Sequence, residues 1–145
     1  MDYTLIVDDM TSKDVQRIRD ASCKIIYAGQ NRDALKPLLL FIEQMRAAAS
    51  LDLGGMFAPN QRFPEYAIKT LEFHRDSNEC TCNLYTGKYD GFDPDEELKA
   101  NNIEFVSRSD DKYSLIARCK KCNELYDVDM RWGHYIFHDW KRRPK

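Results

Sequence analysis

The sequence predicts an α+β fold in which N-terminal helices pack against an antiparallel sheet. Two observations carry this expectation. Val15, Ile18, Ser22, Ile25 and Ile26 recur at the 3.6-residue spacing of an amphipathic helix. Tyr126, Val128, Met130 and Trp132 instead alternate with Asp127, Asp129 and Arg131, the period of two that a half-buried strand requires. We therefore expect one domain over residues 1–145, mainly helical in 1–65 and mainly strand in 66–145.

The elements follow in order. Thr11 and Ser12, with Asp14 close behind, offer an N-cap for the first helix, and Gly29 offers its stop. A second helix is expected from Leu35 or Pro37 to Ala49, with Pro37 tolerated in the first turn because its missing N–H has no helical partner there. Leu38, Phe41, Ile42, Met45, Ala48 and Ala49 make its stripe. Leu39 and Leu40 widen that stripe, so the helix is expected to be buried on several sides. Gly54, Gly55, Pro59 and Pro64 mark residues 51–65 as a loop. Ala67, Lys69, Leu71 and Phe73 then share one face of a strand over residues 66–75. Asp93, Pro94, Asp95 and Glu96 open a short helix ending near Asn101 and Asn102. Strands over Ile103–Val106 and Tyr113–Cys119 flank the turn Ser109 to Lys112. After the alternating segment, Gly133 turns the chain into a last strand from His134 to Trp140.

The chain has 145 residues, 43% of them hydrophobic and 32% charged, enough to bury a core. Its longest apolar run, Leu38 to Ile42, is far short of the roughly 20 residues that span a bilayer. The start, Met-Asp-Tyr-Thr, lacks the basic and apolar stretches of a secretory signal, so a cytoplasmic location is expected. Net charge is −2, with acids collected in residues 90–97 and bases in the last fifteen residues.

Four of the five cysteines form two close pairs, Cys80-Thr81-Cys82 and Cys119-Lys120-Lys121-Cys122. The second lies between two expected strands, at the tip of a hairpin. Cys80 and Cys82, two residues apart, project from one face of an extended segment. Asn83 and Asn123 follow the pairs, and asparagine tolerates the left-handed backbone of a tight knuckle. Brought together, the pairs give a tetrahedral four-thiolate site suited to structural zinc, or to iron. Arg118, Lys120 and Lys121 stand ready to offset its negative charge. His74 is a reserve ligand, because the C-x-C spacing is short. Disulfides are disfavoured in a reducing compartment, and a redox C-x-x-C opens a helix rather than ending a strand. Cys23 borders the first helical stripe and reads as a small core residue.

No catalytic residue is assigned. His134 and His138 would be neighbours on a helix and could serve a metal-dependent hydrolase, but they fall in an expected strand, and the chain lacks nucleotide-binding and nucleophile-elbow motifs. The reading is non-enzymatic. Zinc knuckles, aromatics and a basic tail would also suit nucleic-acid binding, against which stand the near-neutral charge and the interleaved aspartates.

The Cys119–Cys122 hairpin with its upstream pair resembles a zinc ribbon over about residues 66–140. The cysteines together with Trp132, His134 and Trp140 resemble immunity proteins of bacterial toxin–immunity systems. That second resemblance implies a small inhibitor of a toxin, commonly a nuclease with a basic cleft. An acidic, aromatic segment fits such a cleft. Tyr85, Tyr89, Asp90, Phe92, Asp93, Asp95, Glu96 and Glu97 are accordingly the expected partner-binding residues.

Overall fold

The computed structural model describes residues 1–51, 61–87, 92–133 and 136–144. Its chain divides into two compact units, Met1–Asn78 and Glu79–Lys145. The first is helical and the second carries a four-stranded antiparallel sheet, as an α+β chain should. Among the described residues no helix is long and apolar enough to cross a membrane.

In the helical unit, α1 (Tyr3–Met10) was not foreseen. Asp2 caps it, accepting from the Thr4 and Leu5 amides, but only Ile6 and Met10 are buried. A stripe of two residues leaves little periodicity to read. Helix α2 (Val15–Tyr27) carries the expected face of Ile18, Ser22, Ile25 and Ile26, with Ala21 added and Val15 exposed. Its N-cap is Asp14, which accepts from the Arg17 amide. Cys23 is half-buried, at the margin of that face rather than in the core.

The single helix expected from residue 35 to 49 is instead a broken series. It comprises α3 (Arg32–Leu35), a 3₁₀ segment Lys36–Phe41, α4 (Ile42–Arg46) and a second 3₁₀ segment Ala47–Ser50. Pro37 lies in the first 3₁₀ turn, where it has no N–H to offer. The break leaves one buried face, Leu38, Ile42, Met45 and Ala48, while Leu40 is 87% exposed.

The expected loop over 51–65 lies largely outside the described residues, and helix begins by Arg62. The strand expected over 66–75 is a correction: α5 runs from Arg62 to Asp76. Pro64 occupies its third position, within the turn that tolerates proline. Pro64, Ala67, Ile68, Leu71 and His74 are buried at spacings of three and four, with Thr70 buried beside them. The alternation of Ala67 with Leu71 satisfied both periods, and helix wins because Ile68 must also be buried. His74 Nε2 donates to the Gly29 carbonyl at 2.6 Å, tying α5 to the end of α2.

In the second unit, a 3₁₀ segment (Thr81–Thr86) and α6 (Pro94–Lys99) precede a meander of β1 (Ile103–Arg108), β2 (Ser114–Cys119), β3 (Leu125–Trp132) and β4 (Ile136–Arg142). Strand order is β1-β2-β3-β4. The last strand extends to Arg142, so Lys141 and Arg142 lie in the sheet, and Arg143 lies near Asp127 at 3.4 Å. Register sets Leu115 opposite Val128 and Val128 opposite Trp140, while Ala117 faces Tyr126. One sheet face thus collects Ile103, Leu115, Ala117, Cys119, Tyr126, Val128 and Trp140, against which Tyr85 and Cys82 pack. Tyr85 stacks on Trp140 with ring centroids 4.3 Å apart.

Glu97 is the unusual member of this interior. It is 1% exposed, and one carboxylate oxygen accepts from Tyr85 Oη at 2.6 Å and from Asn102 Nδ2 at 2.7 Å. Burial pushes its pKa up to about 7 despite both bonds. A raised carboxyl pKa means that the folded state holds the proton more tightly than the unfolded chain. The associated stability is complete below the unfolded pKa of about 4.3 and is lost as pH rises toward 7, over a span worth roughly 3 kcal/mol. Denaturation of wild type and Glu97→Gln should therefore show wild type losing stability relative to the variant between pH 5 and 7. A constant difference would mean that Glu97 stays ionised throughout.

Candidate metal centre

Cys119 is the last residue of β2, and its side chain points to the core face. The chain reverses before β3 in a turn closed by two bonds, Asn123 N to Cys119 O and Cys119 N to Glu124 O, each 2.9 Å. Asn123 has φ of 65°, the left-handed conformation expected of it. Asn83 does not share that role; its amide instead donates to the Cys80 carbonyl at 2.8 Å. The hairpin tip directs the backbone N–H groups of Lys121 and Cys122 at Cys119 Sγ. Opposite stands the first pair. Cys80, with extended backbone, caps the 3₁₀ segment that contains Cys82, so only the first of the pair keeps the extended conformation expected.

The two pairs interleave. Cys80 Sγ lies 3.6 Å from Cys119 Sγ, and Cys82 Sγ lies 3.4 Å from Cys122 Sγ. All four sulfurs lie within 4.8 Å of one another. A tetrahedron with metal–sulfur bonds of about 2.3 Å has edges of about 3.8 Å, whereas a disulfide brings sulfurs to about 2.05 Å. The geometry fits the tetrahedron, and no disulfide joins any of the five cysteines. Such a set can hold one metal ion, such as zinc.

Electrostatics point the same way. Among the sulfurs, Cys119 is held below the usual thiol range, chiefly because the Cys82 thiol donates to it. That same bond, with burial, pushes the Cys82 thiol far up, and burial pushes the Cys80 thiol up. Four thiolates this close repel one another, and a divalent cation lets all four carry charge together.

The surroundings add residues that the sequence reading missed. Tyr126 Oη reaches Cys82 Sγ at 3.0 Å, Arg142 Nη2 donates to that same Oη at 3.0 Å, and Arg142 also donates to Asn83 Oδ1. Arg142 therefore brings positive charge to the site through Tyr126. The expected Arg118 pairs with Glu104 at 2.6 Å, and the Lys120 ammonium donates to Asn101. The alternation did mark Tyr126 as an inward residue. Nothing local marks Arg142, because only the β3–β4 register sets it opposite Tyr126.

Among the described residues these cysteines are the only group of three or more potential ligands. His74, the reserve ligand, belongs to the helical unit. His138 is half-buried, and desolvation lowers its pKa against the opposing pull of Asp93 and Asp95. His134 lies outside the described residues.

The expected partner-binding segment divides. Tyr85 and Glu97 face the interior and are not presented to a partner. Phe92 is half-buried, its ring edge-on to Tyr85 at 5.0 Å, and its carbonyl accepts from Trp140 Nε1 at 2.8 Å. Asp93 caps α6, Asp95 meets Arg108 at 3.4 Å, and Glu96 meets Lys99 at 3.0 Å. Tyr89 and Asp90 lie outside the described residues. An exposed cluster that the sequence reading did not single out lies at the opposite end of the sheet from the cysteines. There Trp132 is 57% exposed, edge-on to Tyr113 at 4.6 Å and opposite Ile136 in register. No family model, curated protein or solved structure matches the chain.

Proposed function

We propose that Cys80, Cys82, Cys119 and Cys122 hold one structural zinc ion, and that the unit it closes is a non-enzymatic protein-binding module. In its most specific form the reading is an immunity protein that neutralises a bacterial toxin domain with a basic cleft. The observation that carries the proposal is the mutual approach of four sulfurs within 4.8 Å. Four thiolates fill a tetrahedral zinc ion and leave no position to activate water, which favours a structural over a catalytic role. The exposed Trp132, Tyr113 and Ile136 support a protein-binding role, because aromatic residues on an otherwise polar surface are typical interface anchors. Asp93 and Asp95, at the start of α6 beside β1, supply carboxylates for a basic partner surface.

The test is binding with defined variants. A protein partner recovered from the native host at one to one should bind the purified chain. Trp132→Ala should weaken that binding by about 2 kcal/mol or more, and charge reversal at Asp93, Asp95 and Glu96 should slow association most at low salt. Tight, steeply salt-dependent binding of generic single-stranded nucleic acid, with no protein partner, would instead favour the zinc-ribbon reading.

A further inference from the structure

The four sulfurs are not equivalent. Cys82 and Cys119 are fully buried and Cys80 is half-buried, whereas Cys122 is exposed. Their hydrogen bonding differs in the same sense. Cys119 Sγ accepts two backbone N–H groups, Cys80 Sγ accepts the Cys82 amide, and Cys82 Sγ takes the Tyr126 hydroxyl. Among the described residues no N–H or O–H group donates to Cys122 Sγ; its contact is Cys82 Sγ at 3.4 Å. A hydrogen bond draws electron density from a thiolate and blunts it as a nucleophile, and exposure governs which oxidant can reach it.

We propose that Cys122 is a site of modification by hydrogen peroxide, with Cys82 as its resolving partner, and that the reaction expels the metal. This rests on the zinc reading above. The Cys122 thiolate attacks one peroxide oxygen, the O–O bond breaks, and hydroxide leaves, giving a sulfenic acid. The Cys82 thiolate then attacks that sulfur, forming the Cys82–Cys122 disulfide and releasing a second hydroxide. Two protons convert the hydroxides to water. Peroxide has taken two electrons from two sulfurs, and Cys80 and Cys119 alone cannot retain the ion. A four-way cross-link between the 3₁₀ segment and the β2–β3 hairpin becomes a single covalent tie.

The experiment uses the reduced, metal-bound full chain and a zinc-sensitive dye. Complete blocking of thiols with a mercurial first establishes the zinc content. Equimolar peroxide is then added, free thiols are alkylated, and peptides are mapped. Zinc should appear in proportion to peroxide consumed, with a Cys82–Cys122 disulfide and Cys23 still alkylated as a thiol. Cys23→Ser should release zinc at an unchanged rate. Zinc retained under peroxide, a first disulfide between Cys80 and Cys119, or release abolished by Cys23→Ser each overturns this proposal alone. No zinc after mercurial blocking overturns the zinc reading and this proposal with it.

Discussion

Cys119→Ser is expected to unfold the sheet unit at neutral pH, whereas Cys122→Ser should weaken it without abolishing the fold. Both remove one sulfur from the same cluster, so a simple count of ligands predicts equal damage. Position separates them. Cys119 is fully buried at the end of β2, where it also accepts two backbone amides. A serine there leaves those donors facing a poorer acceptor and gives water no access to the ion. Cys122 is exposed, so water can take the vacated coordination position. Structural zinc in small peptides contributes on the order of 10–16 kcal/mol at neutral pH, more than the typical net stability of a domain. Even part of that loss at Cys119 suffices to melt the meander. Amide spectra should show it as loss of dispersed signals from 103–142, and chelation of the wild type should reproduce the pattern. Equal effects of the two substitutions would mean that the number of ligands, and not the burial of each, sets the damage.

Trp140→Ala should be the most damaging change away from the cysteines, costing about 3–5 kcal/mol. Its ring stacks on Tyr85 and meets Tyr126 edge-on at 5.9 Å, and its indole N–H donates to the Phe92 carbonyl. Truncation opens a cavity beside Tyr85 and removes the N–H that this carbonyl accepts, so neighbouring side chains cannot restore both contacts. The internal control is the chain's other tryptophan. Trp132 is mostly exposed and contacts Tyr113 at the sheet's far end, so Trp132→Ala should cost under about 1 kcal/mol. Denaturant titrations of both variants with the metal saturating give the comparison. Similar costs for the two would contradict the assignment of core and surface.

These contrasts mark how far the sequence could be read. Tyr126 and Val128 were legible because strict alternation places them on one face whatever the strand's neighbours. The hairpin at Cys119–Cys122 was legible because two strands flank it and Asn123 supplies a left-handed residue. The first pair was legible as a pair but not as a conformation: two intervening bonds place two sulfurs close together on a 3₁₀ turn as well as on a strand. Residues 66–75 misled because Ala67 and Leu71 satisfy both periods. Tyr85 and Glu97 misled because composition marks an acid or a tyrosine as polar, whereas the Tyr85–Glu97–Asn102 bonds let all three lie inside. Arg142 reaches the site only through pairing across the sheet, which no local pattern encodes.

The central claim is that four thiolates share one zinc ion, and zinc-edge X-ray absorption on the metal-bound protein tests it most directly. The account predicts four sulfur neighbours at about 2.3 Å and no nitrogen or oxygen in the shell. A shell containing nitrogen or oxygen, or a protein that binds no zinc while its five thiols stay free, would contradict it.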